Sequence, residues 1–450
     1  MTNGNGNHRG FWKTRLGFVL AAAGSAVGLG SVWKFPYITG QNGGGAFVLL
    51  YLACALGVGI PIMLAEFTIG RKTNLNPVGA LQTLRPGSWW VVIGYMGVLA
   101  GLLILSYYCV VGGWTVAYIV KSLNHSLDRF ANPREAGGYF ASFIADPLEM
   151  IFYHAVFMAL TVAVVFKGVH GGIEKACDVM MPGLAVILCV LMVRSLTLPG
   201  AMEGVKFYLY PDFGKITAKS VLMAMGQAFF TLSLGMGAMI TYGSYLSEKE
   251  NLTSSTVYVV GFTLLISLLA GLVIFPAVSF AKLEPTEGPS LVFSVLPIVF
   301  SRMPLPTLVS TVFFVLLLIA ALTSSISLLE VVAAYFIDQL KWKRKKAVSV
   351  MGAVIFLLGI PSALSFGVMK DARFMGMTFF EFVDNLAANY LLPLGGALTA
   401  IFVGWVWGTK EAQKEVERHE TQFHFVEIWA FLIRFVAPVA VAAIFLAKLF

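Results

Sequence analysis

Three glycines, Gly24, Gly28 and Gly30, sit in the middle of the first apolar stretch of the chain, which runs from about residue 16 to 38. Glycine weakens a helix interior, yet a stretch of this length is long enough to cross a bilayer. In lipid, an unwound backbone is tolerated only where protein or a wet cavity satisfies its N–H and C=O groups. The break therefore predicts an internal polar site near the membrane midplane, and its chemistry is ion binding. Freed N–H groups at Leu29 and Gly30 lie at a positive helix end and suit a carboxylate. A second break, Ser233-Leu234-Gly235-Met236-Gly237, interrupts the sixth apolar stretch. The carbonyls and hydroxyl from Phe230 to Ser233 suit an ammonium. Together the two breaks describe a site for an α-amino acid zwitterion.

Eleven spans must position these breaks: about 16–38, 45–70, 89–124, 150–167, 175–197, 219–246, 255–281, 305–340, 347–367, 375–408 and 425–450. The third, eighth and tenth exceed the length needed to cross, so they tilt or project. Two G-x-G breaks five spans apart are what an inverted repeat places at one shared site; two glycine-rich packing faces are the plainer alternative. No linker divides the chain, so 1–450 is expected to be one domain. Its first repeat lies within 1–197 and its second within 219–408, with 425–450 outside both.

Composition supports an all-α integral membrane protein. The chain is 58% hydrophobic and 12% charged, against about 25% charged in soluble domains. Its net charge of +8 does not indicate nucleic acid, because the basic residues sit in short loops between spans. Met1 to Gly10 is polar and has no cleavable signal pattern. Basic residues cluster at Arg9, Lys13 and Arg15, at Arg71, Lys72 and Arg85, and from Lys341 to Lys346. Lys410, Lys414 and Arg418 add to them, which places the N-terminus inside the cell membrane and Phe450 outside. Cys54, Cys109, Cys177 and Cys189 all fall in apolar stretches and read as core residues without disulfides. Gly172 and Pro182 bracket the inner end of the fifth span, where local unwinding would open a water path and a static kink is the alternative.

Several motifs carry a resemblance: Arg15-Leu16-Gly17, the Gly24–Gly30 break, Phe35-Pro36, Asn42-Gly43-Gly44-Gly45-Ala46-Phe47, and Gly59-Ile60-Pro61 with Glu66. Gly226-Gln227-Ala228-Phe229-Phe230-Thr231-Leu232-Ser233-Leu234-Gly235 and Leu322-Thr323-Ser324-Ser325 continue it in order through the tenth span. The chain resembles the neurotransmitter:sodium symporter family. That resemblance implies the LeuT fold, a 5+5 inverted repeat of eleven helices with helices 1 and 6 broken at the midplane. It also implies Na⁺-coupled import of hydrophobic or aromatic L-amino acids by alternating access, with lipid bilayer and a small-molecule substrate as the partners.

The resemblance further implies site residues. Substrate contacts fall on Ser25, Ala26, Leu29, Gly30, Ile104, Tyr108, Phe230, Thr231, Ser233, Met236 and Leu328. Amine carriers of the family have Asp where this chain has Gly28, so glycine favours amino acids. Met236 replaces Phe of several relatives and suits a large side chain. Two Na⁺ sites are expected. One uses Gly24, Val27, Ala320, Thr323 and Ser324. The other uses Ala26, Ser31, Thr231 and Thr263, where Ser31 and Thr263 depart from the usual amides and reach less far. Tyr51, Gln227, Thr231 and Ser267 match a chloride site, and Glu66 is the alternative source of negative charge. Lys34 and Asp384 form the expected outer gate under a lid of Tyr108 and Phe230. Arg9 and Trp12 with Asp338 and Tyr245 form the expected inner gate. A channel needs a continuous polar pore, which is not what two midplane breaks provide. An enzyme needs a nucleophile or metal motif such as HExxH or GxSxG, and none occurs here.

Overall fold

The computed structural model describes residues 10–128, 130, 132–282, 291–418 and 423–446. Among them nine helices are long and apolar enough to cross a membrane: α2 (Gly45–Thr73), α3 (Trp89–Leu123), α4 (Pro147–Phe166), α5 (Val169–Leu196), α7 (Leu252–Phe280), α8 (Pro306–Asp338), α9 (Arg344–Leu364), α10 (Phe379–Val416) and α11 (Val426–Ala443). The pair Arg15–Ala26 and Gly30–Gln41, bent by 50°, makes α1. The pair Ala218–Thr231 and Ala238–Gly243 makes α6. Counting α1 and α6 as broken spans, eleven result among the described residues; α5 begins at Val169 rather than 175 and α10 runs on to Val416 rather than 408. The expected gate residue Arg9 and the terminal Phe450 lie outside the described residues.

The two breaks have different local causes. In α1, Thr14 caps the first half by accepting the Gly17 N–H at 2.9 Å. The helix stops at Val27, whose ψ of 73° leaves the helical region. Gly28 follows, and a Cβ there would collide with the Ser324 hydroxyl and lie 2.8 Å from the Tyr108 hydroxyl. Only glycine lets α1 come this near α3 and α8. In α6, Ser233, Gly235 and Gly237 all have positive φ, at 53°, 77° and 73°. Two of the three are glycines, which adopt this conformation without a Cβ penalty. Ser233 is the exception, and strained backbone at a non-glycine residue points to a site.

α3 and α8 are the long members against which the breaks are set. Gly97 of α3 meets the backbone of Met236 and Gly237, where a Cβ would lie 3.1–3.3 Å from those atoms. α8 brings Thr323 and Ser324 to the α1 break, with both side chains buried. The fifth span is wound throughout: it opens as a π-helix over Val169–Glu174 and continues as an α-helix past Pro182 to Leu196. The wide first turn is the form its glycines take here, rather than an unwound segment. The connections between α3 and α4 and between α7 and α8 contain the helices Pro133–Ala145 and Leu296–Ser301.

Candidate functional site

The two breaks meet around one cavity. It is lined by Ser25, Ala26, Gly28, Gly30, Ile104, Tyr108, Phe230, Ser233, Met236, Ser324, Ser327 and Leu328. No charged side chain is among them, so the electrostatics of the cavity come from backbone dipoles and hydroxyls. The Leu29 N–H donates to the Tyr108 hydroxyl at 3.1 Å. The Ser233 hydroxyl crosses from α6 to the Ser25 carbonyl at 2.9 Å. Ser25 in turn donates to the Ser327 hydroxyl at 2.7 Å. The cavity holds about 20 Å³, enough for one water and far too little for an amino acid. Phe230 and Met236 stand on its wall, and a Cβ on Gly30 would lie 2.8 Å from the Phe230 ring. Nine of these lining residues are among the substrate contacts that the sequence resemblance implies. Sequence reasoning missed Ser327, which follows Ser324 by nearly one helical turn on the same face of α8.

Two clusters of oxygen flank this cavity. In the first, the Thr323 hydroxyl lies 3.4 Å from the Val27 carbonyl and 3.0 Å from that of Ala320. The Ser324 hydroxyl lies 3.4 Å from the Gly24 carbonyl and 2.8 Å from that of Ser25. All five expected residues therefore converge, with oxygens only, which is the donor set of a hard monovalent cation. The second cluster is looser. The Ser31 hydroxyl reaches the Ala26 carbonyl at 3.5 Å. The Thr231 hydroxyl accepts from Gln227 Nε2 at 2.8 Å, and Gln227 also donates to the Gly30 carbonyl at 2.8 Å. Thr263 turns away and donates to the Val259 carbonyl of its own helix at 2.8 Å. A short β-branched hydroxyl satisfies itself locally this way when nothing else is in reach.

Beside the second cluster, the Tyr51 and Ser267 hydroxyls approach to 3.4 Å. The buried Glu66 lies elsewhere: its Oε1 accepts the Gly235 N–H at 2.8 Å, fastening α2 to the α6 break.

The family model described as the sodium:neurotransmitter symporter family matches residues 9–132 and 144–450. The chain belongs to that family. It is similar to MhsT, solved in complex with L-phenylalanine, at 46% identity and a TM-score of 0.92, covering 98% of this chain and all of that one. It is 44% identical to an uncharacterized sodium-dependent transporter, YhdH, of Bacillus subtilis, over 97% of this chain and 96% of that protein. A sodium- and chloride-dependent taurine transporter of Canis lupus familiaris is 29% identical over 90% of this chain and 73% of its own length. The fold is thus the LeuT type. The protein is a sodium-dependent symporter and a multi-pass membrane protein, not an enzyme.

In this symporter the two ends of the path differ. At the face where α1 begins, Trp12 is buried, and its ring nitrogen donates to the Tyr242 carbonyl at 3.0 Å. Its backbone N–H donates to the Tyr245 carbonyl at 3.1 Å. Glu174 of α5 accepts the backbone N–H groups of Lys13 and Thr14, each at 3.1 Å. Asp338 is held by the Asn76 backbone and side chain at 2.8 and 2.9 Å. The Tyr245 hydroxyl donates to Glu330 at 2.6 Å, and Glu330 is also paired with Arg344. Glu330 was not singled out from the sequence; a lone carboxylate within the eighth apolar run was the available signal.

At the opposite face a vestibule of about 800 Å³ opens down to Leu29, Tyr108 and Phe230. Tyr108 and Phe230 line both the vestibule and the central cavity, so they are the partition between them. Lys34 and Asp384 both line the vestibule but form no ion pair with each other in this structure; the Lys34 ammonium lies 4.4 Å over the Phe230 ring. This is an arrangement closed at one face and open at the other.

Proposed function

We propose that the protein imports hydrophobic and aromatic L-amino acids together with Na⁺ by alternating access. The observation that carries this is the uncharged cavity between two helix breaks, where the Gly30 backbone and the Tyr108 hydroxyl that accepts the Leu29 N–H line the same space as Phe230 and Ser233. The N–H groups of Leu29 and Gly30 suit the substrate carboxylate, assisted by Tyr108, and the carbonyls and hydroxyl from Phe230 to Ser233 suit its ammonium. Ser25, Ala26, Ile104, Thr231, Met236 and Leu328 complete the pocket. Its side-chain portion offers an apolar lining and no counter-charge, which favours uncharged side chains. MhsT, solved with L-phenylalanine, supports the same substrate class.

Na⁺ is a co-transported substrate in this reading. Gly24, Val27, Ala320, Thr323 and Ser324 hold one ion. Ala26, Ser31, Thr231 and Thr263 hold a second, together with the substrate carboxylate. The second set assembles only when substrate arrives and Thr263 turns from Val259. Tyr51, Gln227, Thr231 and Ser267 take chloride, or Glu66 supplies the negative charge in its place. Closing Lys34 on Asp384 above Tyr108 and Phe230 seals the outer side. Releasing Trp12, with Arg9, Tyr245 and Asp338, opens the inner side. The chain works as one domain of two repeats, within 1–197 and 219–408, in the cell inner membrane with its N-terminus in the cytoplasm.

Competition against labelled L-phenylalanine bound to the purified protein tests the substrate class. Phe, Trp and Leu should displace the label, whereas taurine and aspartate should not. Displacement by taurine at equal concentration would overturn the α-amino acid reading.

A further inference from the structure

Arg434 lies well inside an apolar span and takes no part in the transport site. It is eight residues beyond the start of α11 at Val426, about 12 Å along the helix axis. Its Nε donates to the Gly404 carbonyl of α10 at 3.0 Å, and its Nη2 to the Thr409 hydroxyl at 2.8 Å. Both partners are neutral. Among the described residues Nη1 makes no hydrogen bond and no carboxylate comes within ion-pairing distance of the guanidinium.

The two helices are shaped to this contact. α10 is wound as a π-helix over Phe402–Gly408 and α11 over Leu432–Val436. Such turns free backbone carbonyls and recur at functional positions. A Cβ on Gly404 would lie 3.1 Å from Arg434 Cγ, so the glycine allows the close approach. On the outside, the Trp405 indole donates to the Arg434 carbonyl at 3.1 Å and lies 5.8 Å from the guanidinium. Trp405 is 59% exposed and Phe431 57%, on the lipid-facing side of the bundle. Lys410, adjacent to Thr409, is exposed at the same end.

A charge inside a membrane span is costly unless it is paired or reaches water. Hydrogen bonds to a carbonyl and a hydroxyl satisfy donors but leave the full positive charge in place. We propose that the groove between α10 and α11 binds the phosphate of an anionic phospholipid headgroup through Arg434, with Lys410 beside it. The guanidinium fork matches phosphate oxygens in a way ammonium does not. Exposed Trp405 and Phe431 give the acyl chains an apolar bed, and the long arginine side chain extends its charged end from within the span toward the headgroup. Basic pockets between spans recognise such headgroups in general. A residue needed only to cap Gly404 would not have to carry charge.

The test uses the full-length protein, delipidated in detergent and followed by native mass spectrometry. Phosphatidylglycerol, phosphatidylcholine and sodium phosphate are the probes. The wild type should retain phosphatidylglycerol about fivefold better than phosphatidylcholine, as expected for one basic contact. Arg434→Gln should remove that preference, and Arg434→Lys should keep part of it. Sodium phosphate at the lipid concentration should leave phosphatidylglycerol bound. Equal retention of the two lipids by the wild type would overturn the proposal, as would an undiminished preference in Arg434→Gln. Displacement by sodium phosphate would overturn it too, because the site would then take a free anion. If Arg434→Gln does not fold, the wild-type comparison of the two lipids decides.

Discussion

The two oxygen clusters beside the α1 break are built from the same kinds of group and differ in readiness. At the first, the Ser324 hydroxyl points from α8 at freed carbonyls of α1, 2.8 and 3.4 Å away, and the Thr323 hydroxyl reaches Val27 of α1 at 3.4 Å while also bonding to Ile319 and Ala320 of its own helix at 3.2 and 3.0 Å. At the second, Thr231 is engaged by Gln227 and Thr263 by its own helix. The first is preorganised by a long, buried helix facing the break. The second depends on short side chains that satisfy themselves until something draws them in. In the proposed mechanism this contrast corresponds to one ion joining α1 to α8 before substrate arrives and another completing its shell with the substrate carboxylate.

The largest expected effect tests the preorganised cluster. Thr323→Ala with Ser324→Ala removes two ligand oxygens, each worth about 1.5 kcal/mol or more to a charged group, so Na⁺ affinity should fall about a hundredfold. Substrate binding titrated with Na⁺ reads this out. An unchanged Na⁺ midpoint would remove the ion from this position. Thr263→Val probes the looser cluster while keeping its shape. Its Na⁺ midpoint should shift about tenfold at most, because one hydroxyl is lost and its helix bond is lost with it. A shift as large as that of the double variant would erase the contrast between the clusters.

Much of the site was legible because glycine in an apolar run is anomalous on its face. The α1 and α6 breaks follow from that anomaly, and the α8 hydroxyls opposite them from the family resemblance. What was not legible depends on where side chains turn. Sequence cannot say that Thr263 bonds to Val259, or that Glu66 accepts the Gly235 N–H. Nor does it join Glu330 of α8 to Tyr245 and Arg344, because pairing across the fold leaves no local pattern. The collapsed cavity under an open vestibule is a conformational state, and one sequence serves all such states.

Pocket size depends on Met236. Met236 has three rotatable bonds and can fold aside for a ring. Met236→Phe should therefore weaken Trp and Phe binding about tenfold more than Leu or Val binding, the effect of one to three kcal/mol of overpacking. Competition by the four amino acids against one label measures it, and equal shifts for all four would make Met236 ordinary packing. The smallest effect belongs to the outer gate. Lys34→Ala or Asp384→Ala should slow uptake several-fold, and exchanging the two charges should restore part of the rate, as for a pair that meets only when the vestibule closes. With expression held equal, no recovery in the exchanged protein would separate the two residues.

The central claim is that a Na⁺ gradient drives a hydrophobic amino acid through this site. Uptake of labelled L-phenylalanine into proteoliposomes tests it directly, comparing an inward Na⁺ gradient, equal Na⁺ on both sides, and K⁺ in place of Na⁺. Accumulation above equilibrium is expected with the gradient, equilibration only with equal Na⁺, and no specific uptake in K⁺. Accumulation that is the same in all three conditions would contradict the claim.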